Sequence, residues 1–161
     1  MTPPFERSEY DDRLRRTRAA MREAGLDVLL VFHQEHMFYL AGYDQIGYWV
    51  YQVLIVPADT SPMTAIVRKV DELLVRAGGI VEDVRVWLDD ATLDPAQQTA
   101  EVLRERGLLV RKRVGIEIET KYRELAEPVL GPRRAAAVLE LVEKLETLDS
   151  AAALAAALRP E

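Results

Sequence analysis

Two histidines stand three positions apart in His33-Gln34-Glu35-His36, with a carboxylate between them. On a helix this spacing puts both imidazoles on one face, a metal-ligand geometry. The zinc-protease pattern spaces its histidines by four and sets Glu directly after the first, so the stretch reads first as polar residues at a strand end. Asp89, Asp90 and Asp94 gather after a predicted strand and offer oxygen ligands for a divalent cation. Asp94 already has a sufficient task as a helix N-cap, and the other two suit a solvated turn. Glu117 and Glu119 alternate, so on a strand they share one face. Paired carboxylates can do acid–base work; the plainer reading is a solvent-facing side or a partner arginine. Ser8, Ser61 and Ser150 are the only serines and none lies in a Gly-x-Ser-x-Gly elbow. Neither phosphate-cradling glycine pattern occurs. The chain has no cysteine, which excludes disulfides, thiolate metal sites and Cys nucleophiles.

The densest polar-aromatic stretch is Tyr39-Leu-Ala-Gly-Tyr-Asp-Gln-Ile-Gly-Tyr-Trp-Val-Tyr-Gln52, which runs into the apolar Val53–Pro57. Tyr and Trp bring large contact area at low entropy cost together with a polar tip, and they favour interfaces and ligand rims. Tyr43, Asp44, Tyr48, Trp49, Tyr51 and Gln52 are therefore candidate contacts to substrate or partner. A core edge followed by a turn explains the same residues, and the sequence leaves both readings open.

The elements that must position these residues alternate in kind. Residues 8–24 have the spacing of an amphipathic helix, with Ser8 as N-cap and Gly25 as stop. The continuous apolar run 27–32 predicts a strand buried on both faces. A brief helix follows, closed by Gly42. Strands are predicted at 49–57 and 63–68, joined as a hairpin by Ala-Asp-Thr-Ser-Pro. A short helix at 70–77 ends at Gly78-Gly79, and a strand at 83–88 leads to a helix at 94–107 with Asp94 as N-cap and Pro95 in its first turn. A strand at 114–119 and a helix at 122–130, broken by Gly131-Pro132, come next. Propensity makes the Ala- and Leu-rich remainder helical, with a strand at 135–139 and a helix from Leu141 as the alternative. Strands alternating with helices define an α/β protein, a three-layer mixed β-sheet of about five to six strands with helices on both faces.

Bulk properties narrow the function classes. With 161 residues the chain is most simply one domain. A net charge of −6 argues against a general nucleic-acid binder, which needs clustered Lys and Arg. No apolar run approaches the ~18–20 residues of a membrane span, and the charged N-terminus has no signal-peptide core. A cytoplasmic protein is expected.

Several phrases, in this order, resemble the N-terminal domain of the creatinase, prolidase and aminopeptidase P group of two-domain hydrolases. They are Arg13–Phe32, His36–Pro57, the Ala-Ile-Val-Arg-Lys-Val-Asp-Glu run at 65–72, and Val114–Tyr122. The likeness is strongest to creatinase and ectoine-hydrolase types, in which Tyr-Leu-Thr-Gly-Tyr-Asp precedes an aromatic, Gln-containing strand and then Arg-x-x-Asp. The matching positions are Tyr39 to Asp44, Tyr51-Gln52, Arg68 and Asp71. In that family a linker helix leads to a catalytic half whose carboxylates and His hold two divalent metal ions, or none in the creatinase type. Residues 141–150 match the linker, with Glu146 and Asp149 where the family carries Arg and Lys. The resemblance implies a domain over 1–140, a linker remnant over 141–161, and an absent catalytic half, so that no catalytic or metal-binding residue and no cofactor is carried onto this chain. It implies a non-catalytic role in dimerisation and in walling a substrate site, with Arg68 able to clamp a carboxylate bidentately, although an Arg at a strand end is more often a solvated or salt-bridged surface residue. The expected partners are a second copy of the chain and a separate or missing catalytic domain, with no nucleic acid and no membrane. A stand-alone binding or regulatory module of the same fold is the alternative. A third reading is a small independent hydrolase using an Asp or His between 33 and 52.

Overall fold

The computed structural model describes residues 3–44, 50–89, 94–117 and 127–143, without the side chains of residues 142 and 143. Its strands are β1 (Val28–Val31), β2 (Val53–Pro57), β3 (Thr64–Arg68), β4 (Asp83–Trp87) and β5 (Val114–Ile116). The chain divides into two compact units, residues 1–117 and 118–161, and all five strands lie in the first. The most apolar strand occupies the centre: β2 is buried at every position and runs antiparallel to both β1 and β3. β5 lies parallel to β1 and β4 parallel to β3, giving the order β4-β3-β2-β1-β5.

Strand alternation sorts the core into two layers. Val31, Leu54, Val56, Ala65, Val67 and Val84 face one way. They meet Met21 of α1 (Arg7–Glu23), Met37, Leu40 and Ala41 of α2 (Gln34–Ala41), and Val75 of α3 (Glu72–Gly78). Val28, Leu30, Val53, Ile55 and Ile66 face the other way, against Val102 and Leu103 of α4 (Pro95–Glu105). A strand covered on both faces must be apolar throughout, which is why 28–32 and 53–57 carry no polar residue, Asp27 lying before β1. Each fully buried Val, Leu or Ile contributes roughly 1.5–3 kcal/mol. This is the expected α/β arrangement, a mixed sheet with helices on both faces.

Several boundaries move for identifiable reasons. The strand predicted at 49–57 begins only at Val53, because the Tyr51 carbonyl accepts the Trp87 indole N–H at 2.9 Å and the Gln52 side chain turns to Asp71. The helix predicted at 70–77 is preceded by a 3-10 turn, Lys69–Asp71. α1 starts at Arg7, so Ser8 lies inside its first turn and Glu6 holds the cap position. Asp94 does cap α4, its carboxylate accepting from the Ala96 amide at 2.8 Å. In the second unit a continuous helix spans Pro132–Glu143, which rules out a strand at 135–139, and Ala135 and Val138 are its buried positions. Tyr48, Trp49, Asp90, Glu119, the segment 122–126 and the remainder of the linker lie outside the described residues. None of the described helices is long and apolar enough to cross a membrane.

Gly42 shows how tightly α1 and α2 are joined. It ends α2 at φ +81°, and a Cβ there would lie 2.6 Å from the buried Tyr10 hydroxyl. Substitution Gly42→Ala combines left-handed strain with that clash and should cost about 2 kcal/mol or more. Urea unfolding measures it, and a loss below about 0.5 kcal/mol would contradict this packing.

Candidate functional site

With β2 antiparallel between two parallel pairs, β1, β3, β4 and β5 all end at the same edge of the sheet, where β2 begins. In open α/β sheets ligands collect beyond the carboxyl ends of the strands. The polar residues singled out in the sequence mostly lie along this edge, in three groups.

At one end Glu117 directly follows β5. Its Oε2 accepts from the Phe32 and His33 amides at 2.9 and 3.0 Å, and its Oε1 meets His36 Nδ1. His33 holds the cap position of α2, and the two imidazoles stand 5.7 Å apart, centroid to centroid. Glu117 therefore does not line a solvent-facing side or meet an arginine. It is pulled inward because the turn from β1 into α2 exposes donors that a carboxylate satisfies better than water does. Among the described residues no group of three or more His, Asp or Glu side chains is placed to hold a metal ion.

In the middle, the Tyr51 hydroxyl pairs with Thr99 Oγ1 at 2.8 Å, and its ring meets Phe32 edge-on at 5.7 Å. Burial pushes the Tyr51 phenol above its ordinary pKa, against the Thr99 hydrogen bond, which lowers it. Asp44 is exposed.

At the other end, Gln52 Nε2 donates to Asp71 Oδ2 at 2.9 Å. Gln52 is only 3% exposed, and its Oε1 is buried without a hydrogen-bond partner. Burial raises the Asp71 carboxyl above its ordinary pKa, with the Arg68 charge opposing. Tyr43 is fully buried, its hydroxyl donating to Met37 Sδ at 2.9 Å. Desolvation, reinforced by the Asp71 charge, holds its phenol far above the usual range, so the geometry assigns Tyr43 to the core. Arg68 already grips a carboxylate: its Nε lies 2.8 and 2.9 Å from the two Asp89 oxygens, and a terminal nitrogen lies 2.8 Å from Oδ2. Asp89 thus serves Arg68, and Asp94 serves α4.

Sequence reasoning missed Glu117 as an anchor and Trp87 as a member of this edge. The first bond closes over 81 positions, beyond any local pattern. The second was latent in the register, which sets Trp87 opposite Arg68.

Comparison with known proteins agrees with this architecture. The family model of the creatinase/prolidase N-terminal domain matches residues 13–158, and the chain belongs to that family. Ectoine hydrolase from Halomonas elongata is 35% identical over 60 residues, 37% of this chain and 15% of that protein. The solved dipeptidase PepE from Mycobacterium ulcerans is 26% identical, with a TM-score of 0.54, over 62% of this chain and 27% of its own. The N-terminal domain of an Xaa-Pro dipeptidase from Lactobacillus brevis shares the fold at 15% identity, with a TM-score of 0.57, over 71% of this chain and 85% of its own. The chain thus spans a minor part of the full-length relatives.

Two substitutions test the edge. Glu117→Ala strands two backbone donors and should cost about 2 kcal/mol in urea unfolding, with faster hydrogen exchange at the Phe32 and His33 amides. Unchanged exchange there would contradict the anchor. Asp71 has a folded-state pKa above its unfolded value, so the folded state holds this proton more tightly. Its contribution to stability therefore declines as pH rises from the unfolded value through the raised one. Asp71→Asn should lack that decline when stability is measured across the carboxylate range, and an identical pH profile in both proteins would refute it.

Proposed function

We propose that this chain serves as the non-catalytic N-terminal domain of a creatinase or Xaa-Pro peptidase-like hydrolase acting on C–N bonds in the cytoplasm. It contributes to homodimerisation and to the wall of a substrate site. The catalytic chemistry, with two divalent metal ions or with none as in the creatinase type, belongs to a separate catalytic half. The observation that carries the reading is the family match over residues 13–158, together with the small share of each full-length relative that the chain spans.

The carboxyl edge supports the second half of the reading. Asp44 is exposed, Tyr51 is half-buried, and Arg68 presents a donor fork close to the unpartnered Gln52 acceptor and the Asp71 carboxyl. A small ligand bearing both a carboxylate and an N–H donor, such as an Xaa-Pro dipeptide or an ectoine-like amino acid, complements that set. Its carboxylate would exchange with Asp89 on Arg68.

The experiment is direct. The purified 161-residue chain, supplied with manganese, zinc or cobalt, is incubated with Xaa-Pro dipeptides, creatine and ectoine. The expected result is no hydrolysis above the metal-only background. Metal-dependent turnover that scales with protein would overturn the non-catalytic reading and favour a small independent hydrolase.

A further inference from the structure

The two histidines are left without a task by the edge as described. His33 occupies the cap position of α2, yet its side chain makes no capping bond. The Phe32 and His33 amides, at the entry to that helix, are met by Glu117 instead. The His36 side chain is 54% exposed, so packing does not account for an imidazole there.

The fold brings the two rings together. Three positions apart at the start of α2, they stand with centroids separated by 5.7 Å and planes tilted by 41°. The polar contacts of both rings fall on Nδ1: His36 Nδ1 meets Glu117 Oε1, and His33 Nδ1 lies 3.6 Å from Glu35 Oε2. A carboxylate only accepts. In the neutral ring the Glu117 contact therefore puts the His36 proton on Nδ1 and leaves the Nε2 lone pair open. A carboxylate behind one imidazole nitrogen and a metal on the other is the usual setting of metal-bound histidines, because the carboxylate fixes the tautomer and orients the ring. Charge agrees on balance. The amide end of α2 opposes a cation. Glu35 in its first turn and Glu117 beside it set two carboxylates against that effect, in a chain of net charge −6.

We propose that His33 and His36 bind one divalent late transition-metal ion, zinc, nickel or copper, through their Nε2 atoms, with Glu117 holding the His36 ring and water completing the coordination. Bonds of about 2.0–2.1 Å to two imidazoles at a tetrahedral angle put the ring centres roughly 5 Å apart. The observed 5.7 Å closes with a small movement of the exposed His36 side chain. Imidazole nitrogen selects such ions over magnesium and calcium, which take oxygen ligands. Closed structural sites use four protein ligands, so a site with two binds in about the micromolar range. The bound ion would fix the first turn of α2 and, through Glu117, its link to β5. The non-catalytic reading above stands whether or not the ion binds.

The chain holds two histidines and no cysteine, so each ring signal can be followed without overlap from others. Zinc chloride titrated into the full chain should give one equivalent by calorimetry with a Kd in about the micromolar range, and magnesium chloride should give no binding. In proton NMR the ring signals of both histidines should move together and saturate at one equivalent of zinc. His33→Gln and His36→Gln should each weaken zinc binding at least about tenfold, with an unchanged far-ultraviolet spectrum. Zinc binding undiminished in either variant, movement of one ring alone, or no binding up to about millimolar zinc would overturn the site.

Discussion

The structure depends on one buried strand that runs against its neighbours. β2 is apolar at every position and antiparallel to β1 and β3, and each of those takes a parallel partner on its outer side. The hydrophobic effect favours β2 in the middle, where helices cover both faces and neighbouring strands cover both edges. The rest is geometry. Four strands deliver their carboxyl ends to one edge, and the turns that leave them collect His33, His36, Glu117, Arg68, Asp71 and Asp89 there. A family fold supplies the frame, and the chemistry of the edge comes from side chains carried on short turns.

Those turns are held by bonds that span large separations in sequence. Glu117 reaches the Phe32 and His33 amides, Trp87 reaches the Tyr51 carbonyl, and Gln52 reaches Asp71. In the first two a polar side chain satisfies a backbone group that the sheet ladder leaves unpaired, and in the third two buried side chains satisfy each other. Gln52 Oε1 is a buried acceptor with no partner, as are the Tyr10 hydroxyl and Gln98 Oε1 elsewhere among the described residues. A buried acceptor left unpaired costs stability unless something satisfies it, and the proposed function assigns that part at Gln52 to a ligand.

Much of the fold was legible because its signals are local. The continuous apolar runs gave β1 and β2, Gly42 closed α2 in the left-handed conformation, and Asp94-Pro95 opened α4 with the expected cap. The edge was legible only in part. Asp44, Tyr51, Gln52 and Arg68 stood out by residue type. Tyr43 stood out equally and proved to be core, since an aromatic with a polar tip serves either place and only packing distinguishes them. Glu117 looked solvent-facing because its partners lie on an element formed more than eighty positions earlier. The Asp89–Arg68 pair required the β3–β4 register, which composition does not encode.

The proposed function places recognition at the carboxyl edge rather than at the opposite edge, around Ala58–Pro62 and Arg106–Lys112. Hydrogen–deuterium exchange of the chain without and with an Xaa-Pro dipeptide or ectoine reads this most directly. Slowed exchange with the ligand confined to residues 51–52, 68–71 and 87–89 and the adjoining turns is the predicted result. Slowing at the opposite edge, or spread evenly over both, would contradict it.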